Sequence, residues 1–272
     1  ASEAFSLPKG TGGGWLFSAA RIRNKTLRII ADTFPKDAAP FAKALLLGDT
    51  SDIDYATDTA FKVSGIRHVV AVSGLHVSIL FAMLSTLTLK RRWLTALVAY
   101  PFLFLFAAVA GFTPSVCRAC IMSGLLLLSW LVSREYDGPT ALSFAVLVIL
   151  GANPLAITSV SFQLSVASVA GIYLFQSGIR KWLTAQFGDY GGRRVKTFFV
   201  NAFCSSIAIS LSAMVLTVPL CAWYFGTVSL IGPLTNLLTL WIICGIFYGI
   251  CGVCALFLVF PGAAAFLAKI VA

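Results

Sequence analysis

The chain has 272 residues, of which 59% are apolar and 11% charged, with a formal net charge of +10 and a mean hydropathy of +0.92. A water-soluble domain averages about 45–50% apolar and roughly 25% charged residues, so one aqueous core cannot absorb this much apolar surface and lipid must cover part of it. The positive charge would suit a nucleic acid, but it equally suits the basic cytoplasmic loops of most membrane proteins.

Residues 1–36 differ from the rest. Thr11-Gly12-Gly13-Gly14 is a flexible stretch, after which Arg21, Arg23, Lys25 and Arg28 alternate with Ile22, Leu27, Ile29 and Ile30. This predicts a basic amphipathic segment that either lies on the membrane surface or joins an upstream domain. The start at Ala1, without Met or a signal sequence, fits a piece of something longer. Pro40 opens a short helix that Gly48 ends, followed by the acidic run Asp49, Asp52, Asp54 and Asp58. A further short helix follows, with Lys62 four residues after Asp58 and Gly65 placed to cap it.

Apolar spans then succeed one another. The first covers residues 69–89 and stops at Lys90-Arg91-Arg92. The second covers 93–111 and can kink at Pro101. After the break Gly111-Phe112-Thr113-Pro114-Ser115, Arg118 opens a third, which ends at 133. The fourth, 140–151, stops at the turn signal Asn153-Pro154. Residues 155–175, 198–225 and 233–260 are the fifth, sixth and seventh, with a basic loop at 180–196. The expected fold is therefore an all-α, polytopic transmembrane bundle of about seven spans, some short or re-entrant. Residues 37–272 would form it, behind the basic segment 1–36. The third and fourth spans read as short for a bilayer that asks for about 20 apolar residues. They fit either broken helices around a water-filled path or a tight hairpin with nothing passing through it.

If the spans alternate, Lys90, Arg91, Arg92, Arg134, Arg180, Lys181, Arg193, Arg194, Lys196 and Lys269 fall on one side. The other side's short loops hold only Arg118. The basic side is then cytoplasmic and the N-terminal segment outside, which implies a multi-pass plasma-membrane protein. The cysteines, including the pairs Cys117/Cys120 and Cys251/Cys254, sit in or beside apolar segments without companion His or Asp. Small buried hydrophobes, not a metal site, are expected.

Polar groups at membrane depth are costly and default to functional candidates. Ser73 and His76 lie three residues apart on one helix face, able to line a path, to join two helices or, less readily, to act as nucleophile and base. Arg118 needs an anion or carbonyls; Asp49, Asp52 and His68 are structural partners for it, and a passing phosphate is a functional one. Ser115, Ser161, Gln163, Ser165, Asn201 and Asn236 supply uncharged donors and acceptors, each of which serves equally as glue between helices.

Several blocks together resemble one family. Leu45-Leu46-Leu47-Gly48-Asp49 followed by the stretch from Gly65 to Val77, with Ser73-Gly74-Leu75-His76 inside it, is similar to the most characteristic region of ComEC-type competence proteins. Gly111 to Ala119, Asn153-Pro154-Leu155 with Ser161 to Ser165, and Trp223 to Ser229 continuing to Asn236 match further blocks in order and spacing over about residues 38–240. The resemblance implies a DNA-uptake channel that passes a single strand across the plasma membrane in natural transformation. Ser73, His76, Ser115, Arg118, Ser161, Gln163, Ser165 and Asn236 would line the path, with Asp49 structural at the outer mouth. Lys90, Arg91, Arg92, Arg180, Lys181, Arg193 and Arg194 would draw the strand inward.

Family members often add an outer OB-like domain and a metallo-β-lactamase-like nuclease domain. The latter's His-x-His-x-Asp-His cluster does not occur in these residues, so no enzymatic activity and no cofactor are expected of them. Without a Gly-x-x-x-x-Gly-Lys-Ser/Thr motif, a separate cytoplasmic helicase-like ATPase and an outer DNA receptor are implied partners, and a homo-oligomer stays open. A small-molecule or ion transporter is the alternative, and an intramembrane hydrolase using Ser73 and His76 a third.

Overall fold

The computed structural model describes residues 14–57, 59, 73–187, 194–226, 232–257, 268 and 271, and no strand occurs among them. Nine α-helices and one 3-10 turn follow in chain order among the described residues: α1 Gly14–Thr33, α2 Ala39–Leu47, α3 Gly74–Leu87, α4 Arg92–Val109, α5 Pro114–Val132, α6 Gly138–Ala152, the turn Pro154–Thr158, α7 Val160–Phe187, α8 Arg194–Phe225 and α9 Gly232–Phe257. They form two compact units, residues 1–135 with 241–272, and residues 136–240.

Punctuation residues set most of the boundaries. α2 begins with Pro40 in its first turn and stops at Gly48, which takes φ 69°, a left-handed conformation that costs glycine nothing, and donates its N–H to Ala44 O. α6 begins at the Asp137 cap, whose carboxylate accepts the Thr140 N–H at 3.0 Å. Asn153 ends α6, and its side chain accepts the Leu155 N–H at 3.1 Å to start the 3-10 turn. The α3–α4 hairpin closes through Leu89 and Lys90, both at positive φ (53° and 56°).

In the first unit, α1, α2, α3, α4, α5 and the later part of α9 enclose one apolar core around Ile30, Leu45, Val77, Leu103, Val116 and Phe247. A smaller cluster of Phe81, Leu84, Ala99 and Leu127 fills the other end of the α3–α4–α5 layer. Polar ties supplement it. Thr88 Oγ1 and the fully buried Thr95 Oγ1 lie 2.6 Å apart, and Tyr100 donates to Gly124 O at 2.8 Å. Arg92 donates to Trp130 O and Ser133 Oγ at the C-terminal end of α5, where the helix dipole favours a cation. In the second unit, α7 and α8 form the long antiparallel pair. A Cβ on Gly171 would collide with the backbone carbonyl of Ser212, so only glycine permits the observed approach there.

Among the described residues, four helical stretches are long and apolar enough to cross a bilayer: Arg92–Val109, Pro114–Val132, Val160–Gln186 and Val200–Phe225. Gly74–Leu87, Gly138–Ala152 and Ile242–Cys254 are shorter apolar helices. Together they match the expected count of about seven. Trp93, Leu97, Phe104, Leu147 and Leu174 are exposed on their outer faces, the surface that lipid covers.

Three expectations need correction. The third span does not open at Arg118: Pro114, tolerated in a first turn because it needs no N–H partner there, starts α5 four residues earlier and gives it 19 residues, a full crossing. The fifth span is divided at Ser159, which is extended, between the 3-10 turn and α7. The supposed basic loop at 180–196 begins as helix, because α7 continues to Phe187 and carries Arg180 and Lys181 on its last turns. The fourth span does stay short: α6 has 15 residues, about 22 Å at 1.5 Å per residue against roughly 30 Å of hydrocarbon.

Candidate functional site

Ser73 is the extended N-cap of α3, with φ −131°. Its backbone N–H donates to His76 Nδ1 at 3.1 Å, and its Oγ lies 3.3 Å from the same nitrogen. This is a capping box in which histidine stands where glutamate or glutamine usually does. A backbone N–H can only donate, so Nδ1 is the accepting nitrogen and the neutral ring carries its proton on Nε2. His76 is fully buried, and that Nε2 has no hydrogen-bond partner among the described residues. The ring stands edge-to-face on Phe247 of α9, centroids 5.1 Å apart. The Ser73–His76 pair, a nucleophile–base candidate in the sequence, is here a helix cap with its base nitrogen occupied by the main chain.

Arg118 lies in the second turn of α5 and is 7% exposed. Its guanidinium passes over the start of α3: a Cβ added to Gly74 would sit 2.9 Å from Nη2. Nη1 lies 3.5 Å from Met122 Sδ, one turn along. Gly74, flanked by Ser73 and two residues before His76, is thus the residue that lets a buried cation rest against a helix N-terminus. The site is built from the first turn of α3 and the second turn of α5. The carboxylates considered as its partners are engaged elsewhere: Asp52 pairs with Lys43 at 2.7 Å, and Asp49 accepts from Ser51 N–H and Oγ. Partial burial pushes the Asp49 carboxyl up, but the Ser51 bonds and the Arg23 and Lys43 charges outweigh it and leave its pKa below the ordinary 3.8. His68 lies outside the described residues.

The remaining candidates lie in both units. Ser115 is half-buried in the first turn of α5. Ser161, exposed, and Ser165, half-buried, are in α7 of the second unit, as is Gln163. Gln163 uses both ends of its amide, donating from Nε2 to Ile157 O at 2.8 Å and accepting from Tyr224 at 2.6 Å, so it ties the 3-10 turn to the end of α8. Lys90, Arg91, Arg92, Arg180 and Lys181 are exposed; Arg193 and the side chains of Arg194 and Asn236 lie outside the described residues.

Sequence reasoning missed Arg23. One guanidinium nitrogen donates to Leu47 O at 3.1 Å and Val109 O at 3.0 Å, the last residues of α2 and α4. The signal was available: Arg23 is the cation on the helix face shared with Ala19 and Ile30, both buried. On that same face Ile30 and Phe34 are buried in the apolar core of the first unit.

Among the described residues, helices alone, several of them bilayer-length and apolar, define an integral membrane protein of the all-α class. The chain belongs to the family described as Competence protein, whose sequence profile matches residues 45–272. It is similar to ComE operon protein 3 of Bacillus subtilis (27% identity, covering 82% of this chain and 27% of that protein). It is similar also to Competence protein ComA of Neisseria gonorrhoeae (26% identity, 86% and 35%). An uncharacterized protein of Aquifex aeolicus is 32% identical over 72% of this chain and 42% of its own length. The chain thus spans about a third of the length of these curated relatives. No solved structure matches it.

Proposed function

We propose that this chain forms the membrane conduit for a single strand of DNA in competence. The observation that carries the reading is the buried Arg118 held against the first turn of α3. A guanidinium in a membrane bundle is expensive and rarely idle, and its planar donor fork suits a phosphate better than a lysine would. Family membership supports the cargo. A polyanion cannot cross about 30 Å of hydrocarbon unaided, and conduction favours many weak contacts over one tight one. The half-buried Ser73 and Ser115 beside Arg118 suit that requirement.

In this reading the end of the first unit bearing Asp49 and the start of α5 faces outward, and Lys90, Arg91, Arg92 and Arg134 face the cytoplasm. The chain itself does no covalent chemistry. A separate cytoplasmic ATPase draws the strand in, and an outer receptor delivers it. The test is uptake of labelled DNA by cells carrying Arg118→Gln. Correctly inserted protein with uptake reduced at least tenfold is expected, and Arg118→Lys should recover little, having lost the fork. Unchanged uptake with Arg118→Gln would remove the conduit role from this site and favour a small-molecule or ion transporter.

A further inference from the structure

α1 presents a second basic feature, separate from Arg118. Arg21, Asn24, Lys25 and Arg28 recur at helical spacing, all exposed, on the side of α1 opposite Arg23. Arg21 and Arg28 are about 10 Å apart along the axis, and the only acid continuing the stripe is Asp32, four residues after Arg28. The opposite face is consumed by the protein: Ile29, Ile30 and Phe34 are buried, and Arg23 is fastened to the ends of α2 and α4.

A helix that binds a membrane surface needs an apolar side to insert; in α1 Ile29 and Ile30 are buried in protein, and Ile22 is 40% exposed beside the stripe. The three cations of the stripe, all exposed on one face, complement a polyanion. Position agrees. α1 is anchored at Val109, the last residue of α4, and only residues 110–113 separate that point from α5, whose second turn carries Arg118. The stripe and Arg118 thus belong to the same end of the first unit, opposite Lys90–Arg92. Positive charge on that end runs against the ordinary cytoplasmic bias.

We infer that the Arg21–Asn24–Lys25–Arg28 stripe docks the phosphate backbone of single-stranded DNA at the outer end of the bundle, upstream of Arg118. This rests on the conduit reading. Of the acids near that end, Asp52 is paired with Lys43, which offsets its charge.

The test uses the whole protein in nanodiscs of neutral lipid, with a fluorescent oligothymidylate titrated at several salt concentrations. Each phosphate neutralised on a single strand contributes about 0.7 to the slope of log K against log salt. The triple variant Arg21→Gln/Lys25→Gln/Arg28→Gln should therefore bind more weakly at low salt, with a slope shallower by about 2. Arg21→Lys/Arg28→Lys should restore it, since the charge and not the fork is required. The thermal midpoint should not move, because these side chains are exposed.

An unchanged slope overturns the inference. So does unchanged DNA binding accompanied by weaker association with phosphatidylglycerol vesicles, which would make the stripe a lipid contact. Arg118→Gln in parallel keeps the two readings apart. If it abolishes uptake while the stripe variant binds DNA normally, the stripe falls and the conduit stands. If it leaves uptake intact while the stripe variant loses its slope, the conduit falls and the docking face stands.

Discussion

At the residue scale, the relation between Gly74 and Arg118 is the most exacting. A Cβ at position 74 meets the far end of a long side chain, not backbone. Gly74→Ala should therefore leave the fold intact and move the guanidinium. Gly74 is the first residue of α3, where the propensity gap between glycine and alanine is smaller than in a helix interior, so the thermal midpoint should hold while DNA uptake falls toward the Arg118→Gln level. A normal uptake rate in Gly74→Ala would mean that the position of Arg118 over α3 does not matter. Sequence alone marked Ser73, His76 and Arg118 as costly polar residues, but it gave His76 a face to share with Ser73 and no cap to form. A Ser-x-x-His pair reads alike whether serine is inside the helix or is its N-cap, and only the extended backbone at Ser73 distinguishes them. The orphan Nε2 and its Phe247 neighbour were also beyond reach, since that contact joins residues 171 apart in sequence.

At the element scale, helices were legible wherever proline, glycine or asparagine punctuates the chain, as at Pro40, Gly48 and Asn153. They were misread where charge was taken as punctuation. Arg118 and the pair Arg180, Lys181 looked like the edges of spans, yet each lies inside a helix. Long cations tolerate helix interiors well and reach away from lipid by bending their stems, so a charge marks a level in the membrane and not a helix end. Arg23 shows the reverse, a cation inside the apolar face because two helix C-termini await it. Its removal leaves both carbonyls without that donor and weakens dipole compensation. Arg23→Gln should cost about 2 kcal/mol or more, read as a lower thermal midpoint of the purified protein. Arg21→Gln, one face away and exposed, should be neutral in the same assay. Equal midpoints for the two variants would show that the two hydrogen bonds of Arg23 contribute nothing.

At the scale of the whole molecule, membrane residence was settled by composition, and the number of apolar helices by hydropathy. What composition cannot give is which polar groups share a unit. Ser161, Gln163 and Ser165 belong to the second compact unit and Ser73 and Arg118 to the first, and Gln163 is fastened at both ends of its amide. The charge bias predicts an orientation that is directly measurable. With the native cysteines replaced, Thr50→Cys and Lys90→Cys place single thiols at two exposed positions. A membrane-impermeant thiol reagent applied to intact cells should label the first and spare the second. The reverse pattern would turn the bundle over and put the α1 stripe in the cytoplasm.

The Arg23 latch also has a consequence for biosynthesis. α1 is made before α4, and the Val109 carbonyl that Arg23 grips is made 86 residues later. At about 5–20 residues per second, that bond waits on the order of 4–17 seconds. Arg23 can bond Leu47 O early, but its bond to Val109 O forms only once α4 is complete.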